Sequence, residues 1–437
     1  MTENRVTAQI ANIRKAVAVF RSEGLDGVAA RLTRRAAQRW GGDGEPMFLR
    51  PDDVVDPGSS PRVPPPAPPR PGDQLTIGWV LTAPGPASGG HTTIFRFVEA
   101  LETAGHRCVL FVYDGQGGSA ADYEELIRTW WPRVRADVRD PADVGSERID
   151  AFVATAWPTA HILAGLHHLP GARFYLVQDF EPYFYPRGSA YELAEATYRF
   201  GFTPITVGHM VAQELRTRFG ADPVVAEFGC DRERYHVISR TGRSAVVFYA
   251  KPGVARRGYE LALMALTLFH RDHPEVQIHT FGIEARRLPF PATVHAHMSP
   301  DDLNLLYNSC AAGLALSFTN ISLIAFELLA AGVVPVVNDY AGTRADLDNP
   351  HVAWARSSPR SLADALARAV AEQHRLGADE ISTSVAGMSW DAATGAVVGA
   401  IEDGCRSGRP AISTPSRAEP LPVPASGSPL EERHDIA

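Results

Sequence analysis

Three basic side chains follow a predicted strand in the second half of the chain. Lys251, Arg256 and Arg257 lie in the segment KPGVARRGYELALMAL, where a glycine-containing loop joins the strand AVVFYA to a helix. A lysine and an arginine held on such a loop can bind a diphosphate and stabilise its negative charge as it departs. Basic loop residues are more often only solvated, so the neighbouring segments decide between the two interpretations.

A polar turn and the helix after it carry the next candidates. In SFTNISLIAFELLAAGVVPVVND, the residues Thr319, Asn320 and Ser322 open a predicted helix, and Glu327 lies within its apolar body. This carboxylate requires partners, because an unpaired buried charge is costly. The hydroxyls of a ribose would supply them, and an arginine or lysine in a structural ion pair is the alternative.

The first half of the chain offers a helix start that could bind an anion. The strand LTIGWVL leads into TAPGPASGGHTTIFRF, in which Gly89 and Gly90 precede a helix. The free N–H groups at a helix N-terminus favour a phosphate or an acidic group, although glycine pairs also serve turn geometry alone. His91, directly after the pair, is a candidate for substrate binding or proton transfer, or else a capping residue.

Acids and aromatic residues alternate at another strand exit. The segment ARFYLVQDFEPYFYPRGS places Gln178, Asp179, Glu181 and Tyr183 directly after a predicted strand. Carboxylates accept hydrogen bonds from hydroxyls, and ring faces stack on the apolar faces of pyranoses, so this segment favours a sugar site. The alternative is a solvated acidic loop whose aromatic side chains fill a seam between domains.

All of these candidates lie at the ends of predicted elements. Short apolar runs alternate with helical patterns along both halves of the chain, which is typical of parallel sheets built from strand–helix–strand units. Strands are predicted at 75–81, 107–113, 151–155, 173–178, 204–207, 245–249, 277–281, 313–316 and 333–337. Helices are predicted at 92–104, 123–130, 161–167, 191–198, 210–219, 258–271, 300–309, 322–331 and 359–375. The fold class is α/β, with two doubly wound, Rossmann-like parallel-sheet domains, and ligands are expected beyond the carboxyl ends of the strands.

Composition narrows the classes of protein. The chain has 437 residues, of which 45% are hydrophobic and 21% charged, and its formal charge of −8 argues against nucleic acid as a partner. The four cysteines lie far apart without metal-ligand spacing, so neither a disulfide framework nor a metal site is expected: Cys108, Cys230, Cys310 and Cys405. No segment approaches the roughly 20 apolar residues of a membrane span, and the N-terminus lacks the apolar core of a secretory signal. We therefore expect a cytoplasmic protein.

The two ends of the chain differ from its centre. Residues 1–45 form a predicted helical extension rich in arginine, residues 46–74 a proline-rich linker, and residues 408–437 a disordered tail. Between them we predict two Rossmann-like domains, at 75–235 and 236–387. The basic extension either packs on the main body or a second subunit, or lies on an anionic membrane surface.

Two segments of the second half resemble a known family. FYAKPGVARRGYELALMA and FELLAAGVVPVVND are similar to the donor-binding domain of GT-B glycosyltransferases, particularly retaining enzymes of glycosyltransferase family 4. The resemblance implies a nucleotide-sugar-dependent hexosyltransferase, with the acceptor held by the first domain and the donor by the second. The segment GMSWDAATGAVVGAIEDG resembles the last helix of this fold, which crosses back to the first domain, here at 388–407.

The resemblance also implies roles for the candidate residues. Lys251 and Arg257 would contact the diphosphate, Glu327 the sugar of the nucleoside, and Asp179 is a further candidate for catalysis. The other donor-binding candidates are the polar turn and the glycine pair: Thr319, Asn320, Ser322, Gly89 and Gly90. The acceptor-binding candidates follow the strands of the first domain: His91, Gln178, Asp179, Glu181 and Tyr183.

Three further segments resemble one subgroup of these glycosyltransferases. GGHTTIFRFVEAL, YLVQDFEPYFYP and FGCDRERYH look like the rhamnosyltransferases of bacterial rhamnan and surface-layer glycan synthesis. This implies a dTDP-linked 6-deoxyhexose such as dTDP-L-rhamnose as donor, a glycan or lipid-linked glycan as acceptor, no metal cofactor, and peripheral attachment at the inner face of the cytoplasmic membrane. The family usually has two glutamates spaced eight apart, whereas here Thr319 stands eight residues before Glu327. The resemblance implies that the first of these glutamates faces the transferred sugar, so its replacement by Thr319 affects which hexose the chain would transfer.

Two other classes of function fit the same residues. The missing acid is compatible with a catalytically silent GT-B protein that binds glycan or nucleotide and serves as a scaffold. A GT-B enzyme that is not a transferase, such as a phosphorylase or a nucleotide-sugar epimerase, would act without a glycan acceptor. Analysis of the products separates these alternatives from sugar transfer.

Overall fold

The computed structural model describes residues 49–59, 68–70, 72–86, 88–114, 118–283, 287–296 and 298–407. The predicted helical extension and the predicted tail lie outside the described residues. No helix of the described part is long and apolar enough to cross a membrane.

A parallel sheet of seven strands forms the centre of the first domain. Its strands are β1 Thr76–Thr82, β2 Arg107–Tyr113, β3 Asp137–Arg139, β4 Ala151–Ala154, β5 Ala172–Val177, β6 Thr203–Val207 and β7 Val224–Ala226. Their order is β3-β2-β1-β4-β5-β6-β7, so the winding direction reverses between β1 and β4. In doubly wound sheets, ligands bind at the carboxyl ends of the strands beside such a reversal.

Helices cover both faces of this sheet. They are α1 Gly89–Thr103, α2 Ala120–Trp130, α3 Trp157–Gly165, α4 Ser189–Ala196 and α5 His209–Phe219. The apolar side of α1 packs on one face through Phe95, Phe97 and Val98. The other face is covered by α3 and α5, whose Leu163 and Leu215 join a separate core cluster.

The second domain repeats this architecture with six parallel strands. The strands are β8 Ala245–Tyr249, β9 Ile278–Phe281, β10 Thr293–His295, β11 Cys310–Leu314, β12 Val334–Asn338 and β13 Ala353–Ala355. Their order is β10-β9-β8-β11-β12-β13, with the reversal between β8 and β11. The helices are α6 Tyr259–Asp272, α7 Pro300–Ser309, α8 Leu323–Ala330, α9 Ala341–Arg344, α10 Pro359–Leu376 and α11 Ala378–Thr383. The predicted α/β fold class with two doubly wound parallel sheets is confirmed.

The last described helix returns to the first domain. Helix α12, Asp391–Ser407, buries Val397 and Ile401 in the same core cluster as β1 and α1. Just before it, Trp390 stacks against the guanidinium of Arg96, whose Cζ lies 4.5 Å from the ring centroid. Arg96 also forms a two-pronged ion pair with Asp231 in the segment between the domains, at 2.9 and 2.7 Å. The chain crossing is therefore tied to α1 by both apolar and charged contacts.

Sequence and structure differ mainly at the sheet edges. Four strands of three residues each, β3, β7, β10 and β13, were not among the predicted elements. Three residues are too few to show an alternating pattern, and all four strands lie at sheet edges, where burial is incomplete. The strand predicted at 313–316 is observed at Cys310–Leu314. Its apolar character continues past the strand into the loop, which shifts the predicted boundary.

Part of the predicted linker packs on the first domain. Within residues 46–74, the stretch 49–59 is described, and Leu49 is buried in a small cluster with Trp157. The backbone N–H of Val55 donates to Nδ1 of His161 at 3.2 Å, and the opposite ring nitrogen of His161 lies 3.0 Å from the carbonyl oxygen of Leu193. This stretch is therefore held against α3 and α4.

Candidate functional site

The candidate residues gather where the carboxyl ends of the two sheets meet. The loops at the two winding reversals, after β1 and β4 in the first sheet and after β8 and β11 in the second, lie at these ends. We call residues 178–188 the β5–α4 loop and residues 315–322 the β11–α8 loop. These two loops contact each other through Thr319, whose hydroxyl donates to Oδ2 of Asp179 at 2.8 Å. The two domains therefore meet at these loops, and we call this interface the interdomain cleft.

The loop after β8 presents two cations in different environments. Lys251 is exposed, and its Nζ lies 5.9 Å from the ring centroid of Tyr249. Arg257 is partly buried, and its Nη1 donates to the Ser317 hydroxyl at 3.0 Å. Burial lowers the pKa of Arg257, and the nearby negative charge of Asp179 acts in the opposite direction. Because a hydroxyl neutralises no charge, Arg257 remains a partly desolvated cation that is suited to an anionic ligand.

The neighbouring Arg256 turns toward the first domain instead. Its guanidinium lies over the ring of Phe184, with Cζ 4.0 Å from the centroid, and its Nε lies 3.7 Å from Oδ2 of Asp179. Its carbonyl oxygen accepts from the N–H of Phe318 at 2.9 Å. Two adjacent arginines therefore serve different contacts, which the sequence RRG could not distinguish.

Glu327 is a desolvated carboxylate beside a tyrosine. Its Oε2 accepts from the hydroxyl of Tyr307 at 3.1 Å. Burial raises the pKa of Glu327 to about 7, the Tyr307 hydrogen bond lowers it, and the negative charge of Asp231 raises it. The alternative of a structural ion pair is not what the described residues show, because the partner is an uncharged hydroxyl. The carboxylate therefore retains capacity to accept further hydrogen bonds.

The β11–α8 loop makes its polar contacts across the cleft. The backbone N–H of Asn320 donates to Oδ1 of Asp179 at 3.1 Å. Its side-chain Nδ2 donates to the carbonyl oxygens of Gln178 at 2.8 Å and Val207 at 2.9 Å. Ser322 is buried at the start of α8 and makes no side-chain capping bond. The structure thus places Thr319 and Asn320 in contacts between the domains, and their roles in donor binding stay predictions.

The β5–α4 loop divides its side chains between the cleft and the core. Gln178 faces the glycine pair, because a Cβ atom added to Gly90 would lie 3.7 Å from the amide nitrogen of Gln178. Tyr183 is 40% exposed and packs edge-on against Phe180, with the ring centroids 4.7 Å apart. Gln178 therefore lies beside the glycine pair and Tyr183 is accessible to solvent, and their roles in acceptor binding stay predictions.

Glu181 points into the core of the first domain. Its two oxygens accept from the backbone N–H of Trp157 at 2.8 Å and the hydroxyl of Tyr175 at 2.7 Å. Burial raises the pKa of Glu181 to about 7, and these two hydrogen bonds lower it. Helix α3 begins after Ala156, which has no capping side chain, so Glu181 satisfies the first free N–H of this helix. Both oxygens of Glu181 therefore make structural contacts within the first domain, and its role in acceptor binding stays a prediction.

The glycine pair opens α1, and His91 is held in place beside it. Ser88 is the N-cap of this helix, and nothing lies within 4 Å of a Cβ atom added to Gly89. The Nδ1 of His91 lies 2.9 Å from the Ser88 hydroxyl, and Nε2 lies 3.2 Å from the Thr82 carbonyl oxygen. Burial lowers the pKa of His91, so the ring is neutral at pH 7. The space above the glycine pair remains open to a ligand.

A second acid crosses between the domains in the opposite direction. Asp346 follows α9 in the second domain, and its two oxygens accept from the backbone N–H groups of His209 at 2.5 Å and Met210 at 3.0 Å. These groups begin α5 in the first domain. The sequence gives no signal for this contact, because the partners are backbone atoms of a distant segment. Within the described residues, no group of three or more His, Cys, Asp or Glu side chains could hold a metal ion.

Comparison with known proteins matches both domains. Residues 134–209 match the family model "WsaF, N-terminal domain", and residues 244–367 match "WsaF, C-terminal domain". The O-antigen biosynthesis protein RfbC of Myxococcus xanthus is 32% identical over 283 residues, which is 60% of this chain and 22% of RfbC. The chain therefore spans about a fifth of the length of that relative.

Solved structures share the whole two-domain architecture. HepE from Anabaena in complex with UDP-glucose superposes with a TM-score of 0.55 at 14% identity, covering 76% of this chain and 99% of HepE. Sucrose-phosphate synthase from Thermosynechococcus elongatus gives a TM-score of 0.54 at 12% identity, covering 75% and 96% of the two chains. At such low identity, these similarities establish the fold. The chain is therefore a GT-B-fold protein in which residues 134–209 and 244–367 are similar to the WsaF N-terminal and C-terminal domains.

Proposed function

We propose that this chain is a glycosyltransferase that moves a sugar from a nucleotide sugar to a hydroxyl of a bacterial surface glycan. The observation that carries the proposal is the arrangement on the second domain, where Arg257 and Lys251 follow β8 and Glu327 lies in α8 after β11. Two cations and a desolvated carboxylate beside one winding reversal suit a nucleoside diphosphate. The names of the relatives, O-antigen biosynthesis protein RfbC and a HepE complex with UDP-glucose, support the same class.

In the proposed complex the second domain holds the donor. The carboxylate oxygens of Glu327 accept hydrogen bonds from the ribose hydroxyls. These bonds offset the cost of burying the carboxylate away from water. Lys251 and Arg257 contact the diphosphate, and Gly89 and Gly90 bring the backbone N–H groups of α1 toward it from the first domain. The charge of the donor is thus matched from both sides of the cleft.

The reaction consists of one exchange at the anomeric carbon of the donor. The bond from this carbon to the diphosphate oxygen breaks, and a bond to the acceptor oxygen forms. The leaving diphosphate keeps the electron pair, and Arg257 and Lys251 stabilise its charge without any rearrangement of solvent. The acceptor proton passes to a phosphate oxygen of the departing group, so the scheme requires no protein base and no metal cofactor.

The finer assignment follows the similarity of three segments to rhamnosyltransferases. We propose dTDP-L-rhamnose or another dTDP-linked 6-deoxyhexose as donor, with retention of configuration, and a glycan or lipid-linked glycan as acceptor. Gln178 and Tyr183 lie at the cleft in the first domain, where they are available to such an acceptor. Peripheral attachment at the inner face of the cytoplasmic membrane would bring the chain to a lipid-linked substrate.

Nucleotide binding and sugar transfer are tested in sequence with the purified full chain. Thermal unfolding is measured with dTDP, UDP, GDP and ADP, and a ligand at 100 times its Kd adds about 2.7 kcal/mol to the free energy of unfolding. We expect the largest shift from dTDP and its loss in Glu327→Ala. The matched variant Glu372→Ala, which removes a partly exposed acid from α10, should keep the shift of the wild type. Transfer is then followed by mass spectrometry with a rhamnosyl acceptor in the presence of EDTA. Binding of a nucleotide sugar without a glycosylated product would contradict the proposal.

A further inference from the structure

We infer that Asn320 and Asp346 are positioning residues that hold the two domains together through hydrogen bonds to backbone groups of the first domain. Each residue belongs to the second domain, and each satisfies main-chain atoms of the first domain at the carboxyl end of its sheet. We call these contacts, together with those of Asp179, the polar seam. The effect on turnover rests on the proposed function, whereas the structural coupling does not.

Asn320 joins two neighbouring strand ends of the first sheet. It is 3% exposed, and its Nδ2 donates to the carbonyl oxygens of Gln178, after β5, and Val207, the last residue of β6. Its Oδ1 accepts from the N–H of Ile321 at 3.0 Å. The same side chain therefore fixes the turn into α8 and ties that turn to the first domain.

Asp346 makes the complementary contact from the other side of the same segment. Helix α5 has no capping side chain of its own, because its N-cap is Gly208. Asp346 takes that role by accepting from His209 and Met210. Gly208 has a φ of +88°, and a Cβ atom there would lie 2.8 Å from Oδ1 of Asp346 and 2.5 Å from the Phe228 ring. The close approach thus requires glycine at this position.

Together the two residues enclose one short stretch of the first domain. Asn320 binds the carbonyl oxygen of Val207, and Asp346 binds the N–H groups of the second and third residues after it. Asp179 returns a contact from the first domain to the backbone N–H of Asn320. Separating the domains would break all of these hydrogen bonds at once, including those of the buried side chains of Asn320 and Asp179. The conformation of the β11–α8 loop is therefore coupled to domain closure.

The coupling has a direct consequence for the proposed site. The β11–α8 loop includes Ser317, which binds Arg257, and continues into α8, which carries Glu327. Because the first domain holds this loop, Arg257 and Glu327 keep a fixed position relative to the acceptor-binding residues of the first domain. Loss of the seam should then lower kcat, while the nucleotide itself, held by the second domain, is still bound.

The first test is hydrogen–deuterium exchange on the full chain without substrate. In Asp346→Ala, we expect amide exchange to rise about tenfold at His209 and Met210 and also at Asn320, on the opposite side of the seam. The matched control Asp140→Ala removes an aspartate that caps a short helix within the first domain, through the N–H of Ala142. This control should leave exchange at Asn320 unchanged.

Further variants keep the test informative if Asp346→Ala fails to fold. Asp346→Asn retains one acceptor oxygen, and Gly208→Ala disturbs the contact from the first domain. Both should raise exchange at Asn320 to a smaller extent. An increase confined to His209 and Met210 would overturn the inference, because it would show a local cap without coupling.

The second test separates kcat from nucleotide affinity. For Asp346→Asn, we expect kcat to fall about tenfold, while the Kd of dTDP measured by calorimetry changes less than twofold. Equal losses in both quantities, or no loss in kcat, would overturn the positioning role. If the wild type transfers no sugar, the proposed function fails, whereas the exchange experiment still decides whether the seam couples the domains.

Discussion

Replacing Glu327 by glutamine removes one negative charge from a desolvated position and keeps the shape of the side chain. Burial raises the pKa of this carboxyl from its ordinary 4.5 to about 7. At about 1.36 kcal/mol for each pKa unit, ionisation of Glu327 in the folded chain costs roughly 3 kcal/mol. We therefore expect Glu327→Gln to be more stable than the wild type by up to about 3 kcal/mol at pH 8.

The stability gained by Glu327→Gln depends on pH, and the raised pKa of Glu327 determines its direction. Below about pH 4.5 the carboxyl is protonated in both the folded and the unfolded chain, so its ionisation contributes nothing to stability. Between about pH 4.5 and 7 the unfolded chain ionises first, and the folded wild type loses stability as pH rises. The advantage of Glu327→Gln should therefore be small at pH 5 and complete above pH 7. Urea unfolding at several pH values measures it.

The same substitution should weaken nucleotide binding. A hydrogen bond to a charged group contributes about 1.5–3 kcal/mol, so the loss of the ribose contacts should raise the Kd of dTDP roughly 10- to 100-fold. Glu181→Gln is the matched control, because it removes a buried carboxyl whose pKa is also raised to about 7, in the core of the first domain. Its nucleotide affinity should equal that of the wild type. A Glu327→Gln protein without added stability at pH 8 and with unchanged dTDP affinity would refute the reasoning.

Three further variants test separate parts of the molecule. Arg257→Met should weaken the binding of dTDP more than that of thymidine, as measured by calorimetry, because its charge faces the diphosphate; equal losses would contradict this role. Tyr183→Ala should raise the KM for the acceptor several-fold at unchanged thermal stability, since this side chain is 40% exposed; an unchanged KM would argue against it. Arg173→Met should destabilise the chain by about 3 kcal/mol in urea unfolding without changing dTDP affinity, because Arg173 donates to three carbonyl oxygens in the core.

Sequence periodicity was sufficient to predict the two-sheet architecture. Buried parallel strands are continuous apolar runs, so β1, β2 and β8 are evident in the chain, and β2 and β8 were predicted with their observed bounds. The short strands β3, β7, β10 and β13 were missed, because three partly exposed residues carry no pattern. Their positions depend on pairing with a neighbouring strand, which is a tertiary property.

The sequence predicted which loops carry the candidate residues, but it did not predict most of the contacts that these residues make. Strand-end loops led to Gly90 and Lys251, and a carboxylate within an apolar helix led to Glu327. These residues follow β1, β8 and β11 in the structure. The sequence could not show that Glu181 turns into the core, since its partners are a tyrosine and a backbone N–H of distant segments. Asp346 carried no local signal for the same reason.

Sugar transfer is the activity that we propose for the interface between the two domains. The most direct measurement incubates the purified full chain with dTDP-L-rhamnose and a synthetic rhamnoside acceptor and follows the products by mass spectrometry and NMR. We predict release of dTDP together with an acceptor that has gained one deoxyhexose, and at least a tenfold lower rate in Glu327→Gln. Absence of the glycosylated product with dTDP-, UDP- and GDP-sugars alike, or turnover of the donor that is independent of any acceptor, would contradict the claim.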